Sequence, residues 1–330
     1  MKRILGILIL FLVVYVATAI MAAEVGADFL SSYAQQNLLR RIAPIGILGI
    51  GVAFVIITGG IDLSLGSLVC LVGVGTAWLL VTVGWPVWLV LVAALLVSAG
   101  IGLFHGLLVT RIHLPPFVVT LCGLLMYRGI TRGFTQDQTA GFGTQFGGLR
   151  QLAKGEVPVP LMDGFALPVP FLLMLGVAGL AALFLNKTVM GRHLMALGNN
   201  EEAARLSGIN TTGLTVLAYV ICSVLAGLAG LLHILDVGLE QPATAGNFFE
   251  LFAIAAAVLG GCSLRGGTGT IAGVVIGTAL IQLLRQMITI VFPRQQSMEY
   301  LMIGAVLLIG VIADELIRRA VAKRRAARAG

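Results

Sequence analysis

The chain has 330 residues, 58% of them hydrophobic and only 11% charged, where soluble domains carry roughly 25% charged residues. A water-soluble fold cannot hide that much apolar surface, so lipid must serve as part of its solvent. The net charge of +7 does not point to nucleic acid, because the basic residues gather at the ends of apolar runs with no stacking aromatics between them.

Crossing the hydrocarbon takes about 20 apolar residues of helix at 1.5 Å each. By that measure about ten spans are predicted, at 4–22, 42–59, 64–83, 87–110, 115–133, 167–186, 213–235, 248–262, 269–291 and 299–317, the eighth of them short. The fold class is an all-α membrane protein with one transmembrane domain over 1–330. The first run follows Met1-Lys2-Arg3; it is long for a signal-peptide core of about 7–15 residues and reads as a retained anchor.

Charge sets the orientation. With the N-terminus inside, the cytoplasmic segments hold Lys2, Arg3, Arg111, Lys187, Arg192, Arg205, Arg265 and a tail cluster from Arg318 to Arg328. The external segments hold fewer, Arg40, Arg41, Arg132, Arg150, Lys154 and Arg294. The positive-inside bias places both termini in the cytoplasm, with 318–330 as a basic anchor near anionic lipid. The external pair Arg40-Arg41 is accommodated by a short helix over 24–41 lying along the outer surface. Trp78, Trp85 and Trp88 read as an external interface belt.

The first chemistry-bearing stretch is Ile57-Thr58-Gly59-Gly60-Ile61-Asp62-Leu63-Ser64-Leu65-Gly66-Ser67. Paired glycines break one span and a carboxylate follows before the next. A carboxylate at the bilayer centre costs roughly 2.5–3.5 kcal/mol, so Asp62 either caps the third span or faces a polar cavity. A broken region of this kind lines the solute path in transporters, which makes Thr58, Gly59, Gly60, Asp62 and Ser64 candidates for that path.

Residues 134–166 form an external loop rich in Gly and Pro, suited to an extracytoplasmic partner. Residues 187–212 form a cytoplasmic loop containing Gly191-Arg192-His193-Leu194-Met195-Ala196-Leu197-Gly198-Asn199-Asn200-Glu201-Glu202-Ala203-Ala204-Arg205-Leu206-Ser207-Gly208-Ile209. Asn199 is placed to cap a helix with Glu202 three residues on. Glu201 and Glu202 suit the positive end of its dipole, and Gly208 suits its left-handed stop. Two turns are not stable alone in water, so this helix must dock, with Ala203, Ala204 and Leu206 entering a groove and Arg205 pairing at the rim; an ordinary surface turn is the plainer alternative.

The third stretch runs from Leu239-Glu240-Gln241-Pro242 to Gly269-Thr270. Pro242 and Gly246 interrupt helix, and Glu250 opens a small-residue span as a helix-start charge or as a pore-facing acceptor. Gly260-Gly261-Cys262-Ser263-Leu264 echoes Gly59-Gly60-Ile61-Asp62-Leu63-Ser64, as an internal repeat would. For His105, Arg128, His233, Asp236 and Arg285, a buried pair or an interfacial position is the expected role. Cys70, Cys122, Cys222 and Cys262 read as small buried hydrophobes, without metal-ligand spacing. The sequence lacks GxxxxGK[ST], HExxH and GxSxG, so an enzyme is not expected.

Together these three stretches resemble the ribose/arabinose/galactose-type permeases of ABC importers, over about residues 40–315. The resemblance implies a ten-helix permease in a bacterial inner membrane, paired with a second copy or paralogue. It further implies cytoplasmic ATP-binding subunits carrying ATP and magnesium, with no cofactor or metal in this chain, and an extracytoplasmic binding protein that delivers a monosaccharide or sugar-like solute. On this likeness Gly191, Arg192, Gly198, Asn199, Glu201, Glu202, Ala203, Ala204, Arg205 and Gly208 belong to the ATPase-coupling loop. Phe252 stands where the family often has an acidic residue. Permeases of the same architecture for branched-chain amino acids or nucleosides, and ion-coupled secondary transporters, are the rival readings.

Overall fold

The computed structural model describes residues 2–160 and 164–291, with 301, 304, 305, 308 and 312. The span expected at 299–317, those positions apart, and the tail from 318 lie outside the described residues. In chain order the elements are α1 (Lys2–Glu24), α2 (Ser32–Ile57), α3 (Leu65–Trp78) with a π-helical turn (Leu79–Val83), α4 (Val87–Arg111) and α5 (Pro116–Thr135). Next come β1 (Ala140–Gly141), α6 (Gly147–Lys154), β2 (Glu156–Pro158), β3 (Ala166–Pro168), α7 (Val169–Lys187), α8 (Val189–Asn199) and α9 (Glu201–Leu206). The described order closes with α10 (Thr211–Val237), β4 (Leu239–Glu240), α11 (Phe249–Leu259) and α12 (Ile271–Val291).

Among the described residues seven helices are long and apolar enough to cross a membrane. α5 has 20 residues but falls short in apolarity. The two central helices differ from the rim. α2 is buried on every side from Ile45 to Ile57, as an all-round apolar helix must be. α10 packs on α4, α2 and α3, and small residues set the approach. A side chain at Gly102 would lie 2.6 Å from the Tyr219 carbonyl oxygen, and one at Gly106 would lie 2.7 Å from the Val216 Cα.

Three helix boundaries differ from the expectation. Residues 24–41 do not make a separate surface helix: Ser31 accepts a hydrogen bond from the Ala34 N–H, and α2 runs from Ser32 straight through Pro44. Its polar first turns are tied down by Arg40, which donates to Glu156 Oε1 at 2.6 Å. α11 has only 11 residues, because a left-handed Phe248 precedes it and Gly260-Gly261 ends it. Asn199 is not a cap but the last residue of α8; Asn200 caps α9 instead. Cys70, Cys222 and Cys262 are buried as expected, whereas Cys122 is exposed on α5.

The echo between the two glycine pairs is a structural one. Gly59 has φ +85° and Gly261 has φ +91°. In each, the glycine N–H bonds three residues back, to Ile56 or Val258, and the next N–H bonds five back, to Val55 or Ala257. Both are Schellman stops, and the Gly267 N–H donating to the Ile57 carbonyl at 2.9 Å puts them at the same end of the bundle. The paired strands β1–β4 and β2–β3 lie between spans.

Candidate translocation and coupling site

The α8–α9 unit is built by short-range capping. Thr188 accepts from the Gly191 N–H at 3.0 Å, and Gly191 lies against the Phe184 and Leu185 backbone, where a side chain would collide. Asn200 Oδ1 accepts from the Ala203 N–H at 2.9 Å, and Gly208 takes φ +80° past the end of α9. Arg192, Glu201, Glu202, Ala203 and Arg205 are exposed, and Leu206 is 80% exposed. Ala204 is the exception: it is buried against the protein itself, so it is not available to a partner's groove.

Three motif-bearing segments meet at backbone level beside this unit. The Ile57 carbonyl ends α2 and accepts from Gly267, while Gly198 packs so close to Ile57 and Gly267 that a Cβ there would overlap both. Asn199 Nδ2 donates to the Met195 carbonyl at 2.8 Å and to the Gly267 carbonyl at 3.2 Å. Gly266 and Gly267 hold φ +86° and +75°, a region that costs other residues roughly 1–2 kcal/mol. A side chain on Gly266 would lie 2.7 Å from the Gly198 oxygen and 3.0 Å from the Gly59 nitrogen. The coupling-loop candidates Gly198 and Asn199 are thus joined directly to the path candidate Gly59.

The path candidates divide. Thr58, Gly59 and Gly60 line a cavity of about 390 Å³ together with Glu201 and Arg205 of α9 and Tyr219 of α10. Asp62 and Ser64 are fully buried away from it. Asp62 Oδ1 accepts from the Ser64 N–H and hydroxyl, at 2.9 and 2.7 Å, which pins the start of α3. Its other oxygen faces His105 Nδ1 at 3.9 Å, and neither atom has a hydrogen-bond partner among the described residues. His105 Nε2 meets the Tyr127 hydroxyl at 2.7 Å, so α3, α4 and α5 share one buried polar chain.

Glu250 lies elsewhere, where α3 and α11 begin side by side. Its carboxylate packs against Gly66, where an added Cβ would collide with Oε2, so the charge sits beside the starts of two helices at once. Gly246 and Gly66 are in mutual backbone contact there. From β4 to Gly246 the chain lies along α3 as an extended segment: Glu240 rests on Gly73, and the Cys70 thiol donates to the Pro242 carbonyl at 3.4 Å. Arg128 holds the bend, donating to the Pro242 and Ala245 carbonyls at 2.9 and 2.6 Å and to Asn247 Oδ1 at 2.8 Å. Both Glu240 oxygens lack a hydrogen-bond partner among the described residues, with His233 Nε2 3.7 Å away. Phe252, at the position of the missing acid, is buried under the Arg285 guanidinium at 4.6 Å.

Arg128, Glu240, Asn200 and the contact glycines Gly66 and Gly73 were not among the sequence candidates for the site. The signal for Arg128 was there, an arginine inside a span with no local partner. The extended segment has only the Pro242 and Gly246 breaks to announce it. Among the described residues no group of three His, Cys, Asp or Glu side chains is placed to hold a metal ion.

Apolar spans interrupted at two buried places, with a small helical unit docked where the two interruptions meet, define a multi-pass membrane permease. The chain belongs to the family described as branched-chain amino acid transport system / permease component, which matches residues 34–311. The ribose import permease protein RbsC of Haemophilus influenzae is 35% identical over 297 residues, covering 89% of this chain and 88% of that protein. RbsC of Bacillus subtilis is 35% identical over 311 residues, covering 94% and 91%. The xylose transport system permease protein XylH of Escherichia coli is 33% identical over 344 aligned positions, covering 88% and 87%. No solved structure matches the chain.

Proposed function

We propose that this chain is the permease subunit of an ATP-driven importer for a monosaccharide or sugar-like solute, residing in a bacterial inner membrane. Relatives named for ribose and xylose import support the solute class. ATP and magnesium belong to cytoplasmic partner subunits, an extracytoplasmic binding protein delivers the solute, and a second permease copy or paralogue completes the pathway. Ten spans with both termini inside place α8, α9 and the glycine junction at the cytoplasmic end, and β1, β4 and the π turn at the outer end.

The observation that carries the coupling role is the joining of α8 to the ends of both broken segments through Ile57, Gly198 and Gly267. A push on the exposed face of α9 is passed to α2 and to the 260–270 segment without a flexible side chain in series. Two arrangements of the bundle are then biased by ATP binding and hydrolysis on the partner. The translocation path is assigned to Thr58, Gly59 and Gly60, which line the open cavity, with Asp62, Ser64 and Glu250 as the buried groups that shape it from behind and Arg128 as the clamp of the extended segment. α5 is long enough to span but too polar for full lipid exposure, which suits a helix beside a solute path.

The test is reconstitution. Proteoliposomes holding permease, ATPase and binding protein are expected to accumulate an aldopentose only with ATP. Equal uptake with the permease alone would end this reading. The family description favours a second solute class, branched-chain amino acids, and competition of labelled D-ribose uptake by L-leucine separates the two.

A further inference from the structure

A pocket of about 330 Å³ opens at the end of the bundle opposite α9, between the π turn after α3, the end of α5 and the chain leading into β1. Its size is at the lower end of small-molecule sites, roughly 300–1,000 Å³. One wall is aromatic: Trp78 and Phe134 rings stand 5.3 Å apart, tilted by 56°. The lining also includes Thr82, Gln136 and Gln138, exposed residues whose side chains make no described hydrogen bond within the protein, so a hydroxyl and two amides are held by solvent alone. No charged side chain lines the pocket. The nearest ionic groups, Arg132 and Asp137, are bridged to one another at 2.6 and 2.9 Å.

This donor and acceptor set is selective. A charged solute would lose water and gain no counter-charge. A purely apolar solute would displace water from the amides and return no hydrogen bond. A neutral ring with a C–H face and several hydroxyls satisfies both walls. The pocket is also tied to the path, since Ala140 and Gly141 pair with Glu240 and Leu239, and Thr139 donates to Gln241 Oε1 at 2.7 Å. Both contacts lead into the segment that Arg128 clamps.

We infer that this pocket is a low-affinity subsite for one neutral monosaccharide ring, occupied between release from the extracytoplasmic partner and entry into the bundle. The inference rests on the importer reading above for its sidedness and solute class. Trp78, in contrast to Trp85 and Trp88, is then a ligand platform rather than part of an interface belt.

The probe is D-ribose, with L-leucine as the zwitterionic control, titrated by saturation-transfer NMR against the permease–ATPase complex in nanodiscs without binding protein. Saturable millimolar binding of D-ribose and none of L-leucine is expected. Trp78→Leu should weaken D-ribose binding about tenfold, some 1.4 kcal/mol. Gln138→Ala, at an exposed position, should weaken it severalfold even if Trp78→Leu disturbs the fold. Trp85→Leu, outside the pocket, should leave it unchanged. Absence of saturable binding, equal binding of L-leucine, or D-ribose binding indifferent to both pocket variants would overturn the subsite. ATP-driven uptake, measured alongside with the binding protein added, tells the two readings apart. Normal uptake with no pocket binding removes the subsite alone, whereas absent uptake removes the importer reading.

Discussion

The two ends of the bundle are fastened by different means. At the α8 end, three segments meet through glycines and carbonyls, with the Asn199 side chain reaching from α8 to the Gly267 carbonyl. In the other half, the extended segment after β4 is held chiefly by side chains, with Arg128 bonded to three acceptors and Glu240 laid on Gly73. Backbone-to-backbone contact leaves no rotamer to give way, so it transmits displacement. Side-chain clamps can be released and remade. On the importer reading proposed above, transmission belongs to the first region and opening to the second.

Gly267→Ala probes the rigid end and carries the largest expected effect. It combines a left-handed φ with an intrusion 2.5 Å from the Asn199 side chain. Together strain and overpacking should cost about 2–5 kcal/mol, read as a fall in the thermal midpoint of the purified chain. Arg128→Ala should cost about 2–4 kcal/mol, because two carbonyls and an amide oxygen lose a charged donor. Limited proteolysis between 241 and 247 should appear with it, and Arg128→Lys should recover only part, since one ammonium cannot reproduce the guanidinium fork. An Arg128→Ala chain as stable and as protected as the original would erase the contrast between the two ends.

Smaller effects sharpen it. Asn200→Ala removes the α9 cap and should cost about 1 kcal/mol, seen as faster amide exchange over 201–206. Leu206→Asp on the exposed face should weaken ATPase capture in a pull-down while leaving the midpoint within about 0.5 kcal/mol of the original. The original coupling-face choice, Ala204, would instead disturb the chain's own packing. Arg40→Ala, breaking an ion pair whose side chains are 22% and 40% exposed, should change stability by less than about 1 kcal/mol.

Seven of the spans were legible because hydropathy acts locally, and the glycine pairs were legible because a left-handed helix stop is written in one or two residues. The α9 cap was misplaced by one position since Asn199 and Asn200 are equally good caps. What separates them is that the Asn199 amide reaches Gly267, 68 residues away. Ala204 was assigned outward because a six-residue helix carries too few turns for its apolar face to be read. The fastening of the extended segment was not legible: its clamp, Arg128, lies more than a hundred residues before its acceptors. Such pairings depend on helix packing that no local pattern encodes.

The central claim is that force passes from α9 to both broken segments through the contact of Gly198 with Ile57 and Gly267. The direct measurement is the ratio of solute imported to ATP hydrolysed by the reconstituted Gly198→Ala complex, with ATPase capture checked on the same preparation. A Cβ at Gly198 must push α8 away from Ile57, so hydrolysis and capture should persist while the ratio falls at least severalfold. An unchanged ratio with ATPase bound would show that the coupling takes another route.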